Sequence, residues 1–155
     1  MPNRKPPDVI TLRIDGIEPA PQGSKRAIAL RRGGVLTGKV ALLESSAGVK
    51  PWREAVRQEV LRSRMAMLEG PVGLSITFRL TRPKSHLTSK GALTKAAPRM
   101  HRSKPDADKL LRSTFDGLSG CAYRDDALVA WVAAEKRYCV AGERPGAVIS
   151  LWALE

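Results

Sequence analysis

Hydrophobic positions recur with two different periods along the chain, and they divide it into elements before any chemistry is considered. From Val9 to Ile17 the apolar Ile10, Leu12 and Ile14 alternate with Thr11, Arg13 and Asp15, which predicts a half-buried strand. The turn-rich run Pro19-Ala20-Pro21-Gln22-Gly23-Ser24 breaks it and delivers Lys25 and Arg26. Gly33-Gly34 marks a tight turn before a second extended stretch, Val35 to Leu43, so this region reads as a hairpin with a basic rim. A helical period follows from about Pro51 to Leu68, stopped by Gly70-Pro71, with Trp52, Val56, Val60 and Met67 as its core stripe. Arg53, Arg57 and Arg64 share an arc beside that stripe and read as a solvated face, with phosphate contact as the alternative.

Strand phase returns from Val72 to Leu80, where Val72, Leu74, Ile76, Phe78 and Leu80 are in register. Between Thr81 and Lys104 no period survives, only Pro, Ser, Thr, Gly and positive charge. Such a long basic loop suggests a segment that orders on a nucleic acid, with a solvated loop of no role as the alternative. Its two histidines, His86 and His101, have no Cys or His at ligand spacing and read as ordinary loop residues. Leu111, Phe115 and Leu118 then give the stripe of a short helix, which Gly117 or Gly120 can end, and the apolar run Ala127 to Ala134 reads as a buried strand.

At 155 residues the chain has the length of a single domain, 1–155, with the polar, Pro-rich 1–8 as a flexible tail. A formal charge of +12 favours a polyanionic partner, nucleic acid before membrane. No run approaches the length of a membrane span, which weakens the membrane further. The excess sits in two acid-free segments. Pro19 to Leu43 holds Lys25, Arg26, Arg31, Arg32 and Lys39, and Gly70 to Pro105 holds Arg82, Lys84, Lys104 and further bases. Cys121 and Cys139 have no metal-binding spacing and read as reduced thiols of a cytoplasmic protein.

Among the outnumbered acids, four are placed for chemistry. Asp106 and Asp108 open the short helix, one residue apart, so an extended entry points both to one side. Asp125 and Asp126 stand at the mouth of the following strand. Helix caps and turns explain such residues equally well. Yet carboxylates inside a basic field repel phosphate unless a cation bridges them, and hard oxygen ligands from two elements suit Mg²⁺, with Mn²⁺ as a substitute.

The same residues resemble the RusA-type Holliday-junction resolvases. That family is marked by Asp-x-Asp-Asn opening a helix, a basic residue one turn later, a Phe/Leu-Asp-Gly/Ala-Leu ending, and then Asp-Asp-x-x-Val. The counterparts here are Asp106-Ala107-Asp108-Lys109, Arg112, Phe115-Asp116-Gly117-Leu118 and Asp125-Asp126-Ala127-Leu128-Val129. Pro19 and Pro21 followed by Lys25 and Arg26 match its N-terminal motif. The resemblance implies a small α/β (α+β) domain, a mixed sheet with two main helices packed on it, working as a homodimer without an organic cofactor. It implies that Asp106, Asp108 and Asp126 hold the catalytic metal, with Asp125 assisting. Arg112 stands where the family has Lys, and Lys109 where it has Asn. The expected reaction is metal-assisted hydrolysis of a phosphodiester in a four-way DNA junction, with Arg112 or Lys109 neutralising developing charge. Lys25, Arg26, Arg31, Arg32, Arg82, Lys84, Lys104 and Lys109 are expected on the DNA. A metal-dependent nuclease with another DNA substrate and a non-catalytic nucleic-acid-binding accessory protein are the alternatives.

Overall fold

The first and last strands of the chain lie side by side. β1 (Ile10–Asp15) pairs antiparallel with β6 (Gly146–Ala153), β6 pairs antiparallel with β4 (Val72–Leu80), and β4 pairs parallel with β5 (Val129–Tyr138). The order β1-β6-β4-β5 gives a four-stranded mixed sheet, while β2 (Arg26–Arg32) and β3 (Val35–Leu43) form a separate two-stranded ribbon. Two helices, α1 (Val49–Ser63) and α2 (Ala107–Leu118), complete the expected α+β arrangement. This computed structural model describes residues 8–23, 26–43 and 47–155, without the side chains of Arg26, Leu42 and Leu43. Apart from Asp8, the expected tail therefore lies outside the described residues.

The core forms where β4, β6 and the helices meet. Leu74, Ile76 and Phe78 of β4 pack with Ile149 and Leu151 of β6, with Trp52, Val56 and Val60 of α1, and with Leu110 and Leu118 of α2. Full burial of each large apolar side chain contributes roughly 1.5–3 kcal/mol, so α2 is held chiefly by its packed face. The Trp52 indole N–H donates to Thr114 Oγ1 at 3.0 Å and ties the two helices together inside the core. Their crossing is close: a Cβ on Gly117 would stand 2.9 Å from Val56 Cβ and 3.0 Å from the Arg53 carbonyl oxygen.

Several expectations change. α1 stops at Ser63, because Arg64 adopts a left-handed φ of 55° and bonds back to the Leu61 carbonyl. The chain beyond it instead joins Ala122 through Leu68, and Met67 leaves the core stripe for solvent. On α2 the inward face is Leu110, Ser113, Thr114, Gly117 and Leu118, about one position off the predicted stripe. Ser113 and Thr114 can be buried there because both hydroxyls donate to the Leu110 carbonyl. The run expected to be a buried strand is β5, an edge strand whose Trp131 and Val132 are 47% and 43% exposed. β6 carries a strand alternation through Ala147, Ile149 and Leu151, and its central place follows from pairing with both β1 and β4.

Parts of the long basic loop pack against the sheet. His86 and His101 pack on the Tyr138 ring at 4.8 and 4.7 Å, and the Arg82 guanidinium lies 5.1 Å from the same ring centre. Arg82 also donates to the carbonyls of Cys139 and Pro98. His101 N–H reaches the Lys136 carbonyl and Tyr138 N–H the Arg99 carbonyl, so residues 99–101 cap the end of the β5 edge. Cys121 and Cys139 are free thiols, and burial pushes both up. No helix among the described residues is long and apolar enough to cross a membrane.

A buried charge network closes the opposite side of the sheet. Arg79, fully buried, donates to the Ile14 carbonyl at 2.6 Å and pairs with Asp15 at 2.8 Å, with Glu143 at 3.7 Å. Gly146 makes the approach feasible: its φ is +153°, and a Cβ there would lie 1.8 Å from the Ile14 oxygen. Glu143 accepts both forks of Arg137, at 2.6 and 2.8 Å, and that guanidinium holds its carboxyl down at about 2. A depressed folded-state pKa stabilises above the unfolded value of 4.5 and loses that contribution as pH falls toward 2. Glu143→Gln should thus cost about 2 to 3 kcal/mol at neutral pH. In thermal unfolding, its gap in Tm from the parent should narrow steadily between pH 4.5 and 2; a gap independent of pH would remove the ion pair as the cause.

Candidate active site

The start of α2 is fixed from three directions. The Gln22 N–H donates to the Lys109 carbonyl at 3.0 Å, and Ser113 Oγ reaches back to the Ala20 carbonyl at 2.6 Å. Arg53 of α1 steadies the same loop through Gln22 Oε1 at 2.6 Å. From β5, Lys136 Nζ donates to the carbonyls of Pro105 at 2.7 Å and Ser103 at 2.9 Å. The Pro-rich loop, α1 and the edge strand therefore hold one helix end, where partial positive charge from the peptide dipoles collects.

Asp106 occupies the N-cap position but does not cap. Its backbone is extended, its carboxylate makes no capping bond, and Asp106 Oδ2 instead pairs with Lys109 Nζ at 3.0 Å. The Lys109 ammonium holds the Asp106 carboxyl below its ordinary value, with Lys104 and Lys136 adding to the effect. Asp108, exposed in the first turn, makes no hydrogen bond or ion pair among the described residues, and Arg112 stands exposed one turn further on. Two solvated carboxylates thus sit within a cluster of lysines. Simple capping does not account for either.

Asp125 and Asp126 occupy the other end of the helix. Asp125 Oδ1 accepts from the Ala127 N–H at 2.8 Å, so this carboxylate does cap the short 3-10 turn Asp126–Leu128. Asp126 is exposed, and its charge faces Tyr123, whose buried hydroxyl is pushed up first by burial and then by that charge. α2 has twelve residues, which at about 1.5 Å each separate its ends by roughly 18 Å. β5 runs back along it, with Val129 just beyond Asp126 and Lys136 beside Pro105, a span of about 23 Å at roughly 3.3 Å per residue. Within one chain the two carboxylate pairs therefore stand apart. No group of three or more His, Cys, Asp and Glu among the described residues could hold a metal ion. Asp106 with Asp108, and Asp125 with Asp126, form two separate sets of carboxylates.

The expected DNA contacts divide in the same way. Lys25 lies outside the described residues, and of Arg26 only the backbone is described. Arg31 donates to the Gly34 carbonyl across the ribbon's turn, while Arg32, Lys84 and Lys104 are exposed. Arg82 is part-buried in the packing around Tyr138, whereas Arg79 is fully buried. Lys109 is engaged by Asp106. Lys136 was not singled out from sequence, where it is one lysine after an apolar run; only the fold turns it toward the start of α2. Replacing Lys109 with Ala should move the Asp106 titration midpoint up toward the ordinary 3.8, as read by carboxyl NMR; an unmoved midpoint would mean that another group lowers it.

The model of the endodeoxyribonuclease RusA family matches residues 18–151. No individual curated protein matches the chain. The matched span takes in the Pro-rich loop, both helices, the carboxylates at either end of α2 and almost all of β6. The chain belongs to the RusA endodeoxyribonuclease family.

Proposed function

We propose that the chain is a Mg²⁺-dependent nuclease of four-way DNA junctions that works as a homodimer, each site being assembled from both copies. The observation that carries this reading is the pair of carboxylate sets at opposite ends of α2, next to an edge strand that is apolar and open. Residues 99–101 lie on the β5 edge around Lys136 to Tyr138, and among the described residues Val129 to Glu135 have no strand neighbour on that side. Exposed Trp131, stacked on Trp152 at 5.3 Å, and Val132 give this edge an apolar surface suited to a protein partner.

Antiparallel pairing of two β5 strands about a two-fold axis at Trp131 would match residues 129–133 of the two copies and bring the turn that carries Asp126 in one copy toward the Lys136 end of the other. Lys136 already grips the chain beside Asp106. Asp126 of the partner subunit would thus approach Asp106 and Asp108, completing a set of hard oxygen donors that suits Mg²⁺, or Mn²⁺ in its place. A bound divalent cation supplies Lewis-acid polarisation of a phosphodiester and a water nucleophile near neutral pH.

The protein's own groups do the positioning. Lys109, which pairs with Asp106 at 3.0 Å, would offer its ammonium to the phosphate where a cation neutralised that carboxylate. Arg112, one turn along α2, offers a planar fork to the phosphate oxygens. Lys84, Lys104 and the ribbon hold the duplex arms through phosphates, which makes binding steeply salt-dependent. Two sites related by a two-fold axis match the symmetry of a four-way junction, so paired nicks release two duplexes. The setting is the cytoplasm, where both thiols stay reduced, and the cut serves recombination, repair or phage DNA processing.

Mixing two inactive variants tests the shared site. Asp108→Asn and Asp126→Asn should each abolish cleavage of a synthetic junction in Mg²⁺. After mixing and exchange of subunits, half the dimers contain one of each, and one of their two sites has every carboxylate. Cleavage should return to about a quarter of the parent's, as single nicks. No recovery, with exchange verified by mass, would put the site within one chain. Equal cutting of a linear duplex by the parent would assign a different DNA substrate, and a parent unable to cut any DNA in Mg²⁺ would leave a binding protein.

A further inference from the structure

The β2–β3 ribbon stands apart from the core and carries a surface that water alone does not suit. Neither strand joins the main sheet, and each finds its substantial packing only in the other. Apolar side chains are exposed on both of its faces. Ile28 stands on one, at 39%, and Val40, paired with Ala29 on the other, is 62% exposed, while Leu30, where the register shifts, is 42% exposed. A lone two-stranded ribbon is marginal in water, so such a surface marks contact with something else.

We infer that this ribbon is a groove-inserting arm, which lies in the major groove of the duplex flanking the cut. The inference rests on the DNA-nuclease reading above and adds to it where, and how, the duplex is held. Charge selects the partner. Arg31, Arg32 and Lys39 project from the ribbon, and no Asp or Glu occurs from Pro19 to Leu43. A second copy of the ribbon would bring like charges together with nothing between them, whereas a polyanion neutralises all of them. Dimensions select the groove. Strands about 4.8 Å apart, with their side chains, fill a groove of about 12 Å but not one of about 6 Å. Apolar side chains on both faces then meet base edges and thymine methyls, while the cations at the flanks meet phosphates.

The root of the arm fixes what it measures. The ribbon follows Pro19–Gln22, the segment bonded to α2 through Gln22 to Lys109 and through Ala20 to Ser113, beside Asp106 and Asp108. β3 has nine residues, a reach of roughly 30 Å at about 3.3 Å each, or roughly nine base pairs at about 3.4 Å per pair. The arm thereby holds the duplex in a set register to the candidate carboxylates.

The test uses the full chain on junctions whose arms are lengthened in steps, with Arg31→Ala/Arg32→Ala/Lys39→Ala as the variant. Parent affinity should rise with arm length up to roughly nine base pairs beyond the cut and then level off. Methylation of guanine N7 within that stretch should interfere with binding, as it reports the major groove. In the variant the length dependence and the interference should vanish, and the slope of log K against log salt should fall by about 2 to 3. A Leu30→Asp variant, with all three cations kept, should lose the N7 interference but retain most of the salt slope. Thermal unfolding of both variants close to the parent's establishes that the core is intact. If the parent binds junctions yet shows no length dependence, or if the variants alter subunit association instead, the arm has another occupant and the nuclease reading stands. A parent that binds no DNA overturns both.

Discussion

Everything that gives this protein a site depends on how the first turn of α2 is gripped. Lys136 reaches from β5 to the Ser103 and Pro105 carbonyls, Gln22 donates to Lys109, and Ser113 returns a bond to Ala20. These contacts join regions far apart in sequence: the Pro-rich loop, the end of the basic loop and the edge strand. None is strong by itself, at about 0.5–1.5 kcal/mol net for a neutral hydrogen bond and somewhat more for the ammonium. Their effect is geometric. They put Asp106 and Asp108 at a helix end that favours anions, and they root the basic ribbon beside them. A nuclease needs acids and bases in one place, and this grip supplies that without burying either.

The charge balance around Asp106 follows from the same constraint. The Lys109 ammonium, with Lys104 and Lys136 adding to it, holds the Asp106 carboxyl below its ordinary value. Exposed ion pairs of this kind contribute little to stability. Half exposed, this pair is open to exchange with ions from solvent. The Arg79 network on the far side of the sheet is the opposite case, since its guanidinium is fully buried and cannot be exchanged. Charge serves structure there and remains available near α2.

The parts of the fold legible in the sequence were those in which one element's period decides its own burial. β1 and β4 read as strands because their alternation is clean, and α2 read as a helix whose entry carries two acids. The Asp-x-Asp and Asp-Asp motifs identified the family, and Arg112 and Lys109 came with them. What could not be read was which element lies against which. The end of α1 is set by Arg64 entering a left-handed conformation so that Leu68 can join Ala122, a contact with a segment more than fifty residues away. Lys136 looked like any lysine on a strand. Nor could the sequence show that Arg82 lies over the Tyr138 ring, against which His86 and His101 also pack.

The misreading of β5 has the widest consequence. An apolar run states that its residues avoid water; it does not state whether the same chain provides the cover. Here α2 and β4 leave Trp131 and Val132 uncovered, and residues 99–101 block only the far end of the edge. The same helix, roughly 18 Å long, that stands between Asp106 and Asp126 leaves this strand edge open. Within one chain the two carboxylate pairs stand apart, and among the described residues β5 keeps an unpaired edge beyond the stretch that residues 99–101 cover. An apolar run at a sheet edge thus reports a surface to be covered, and says nothing of which element covers it.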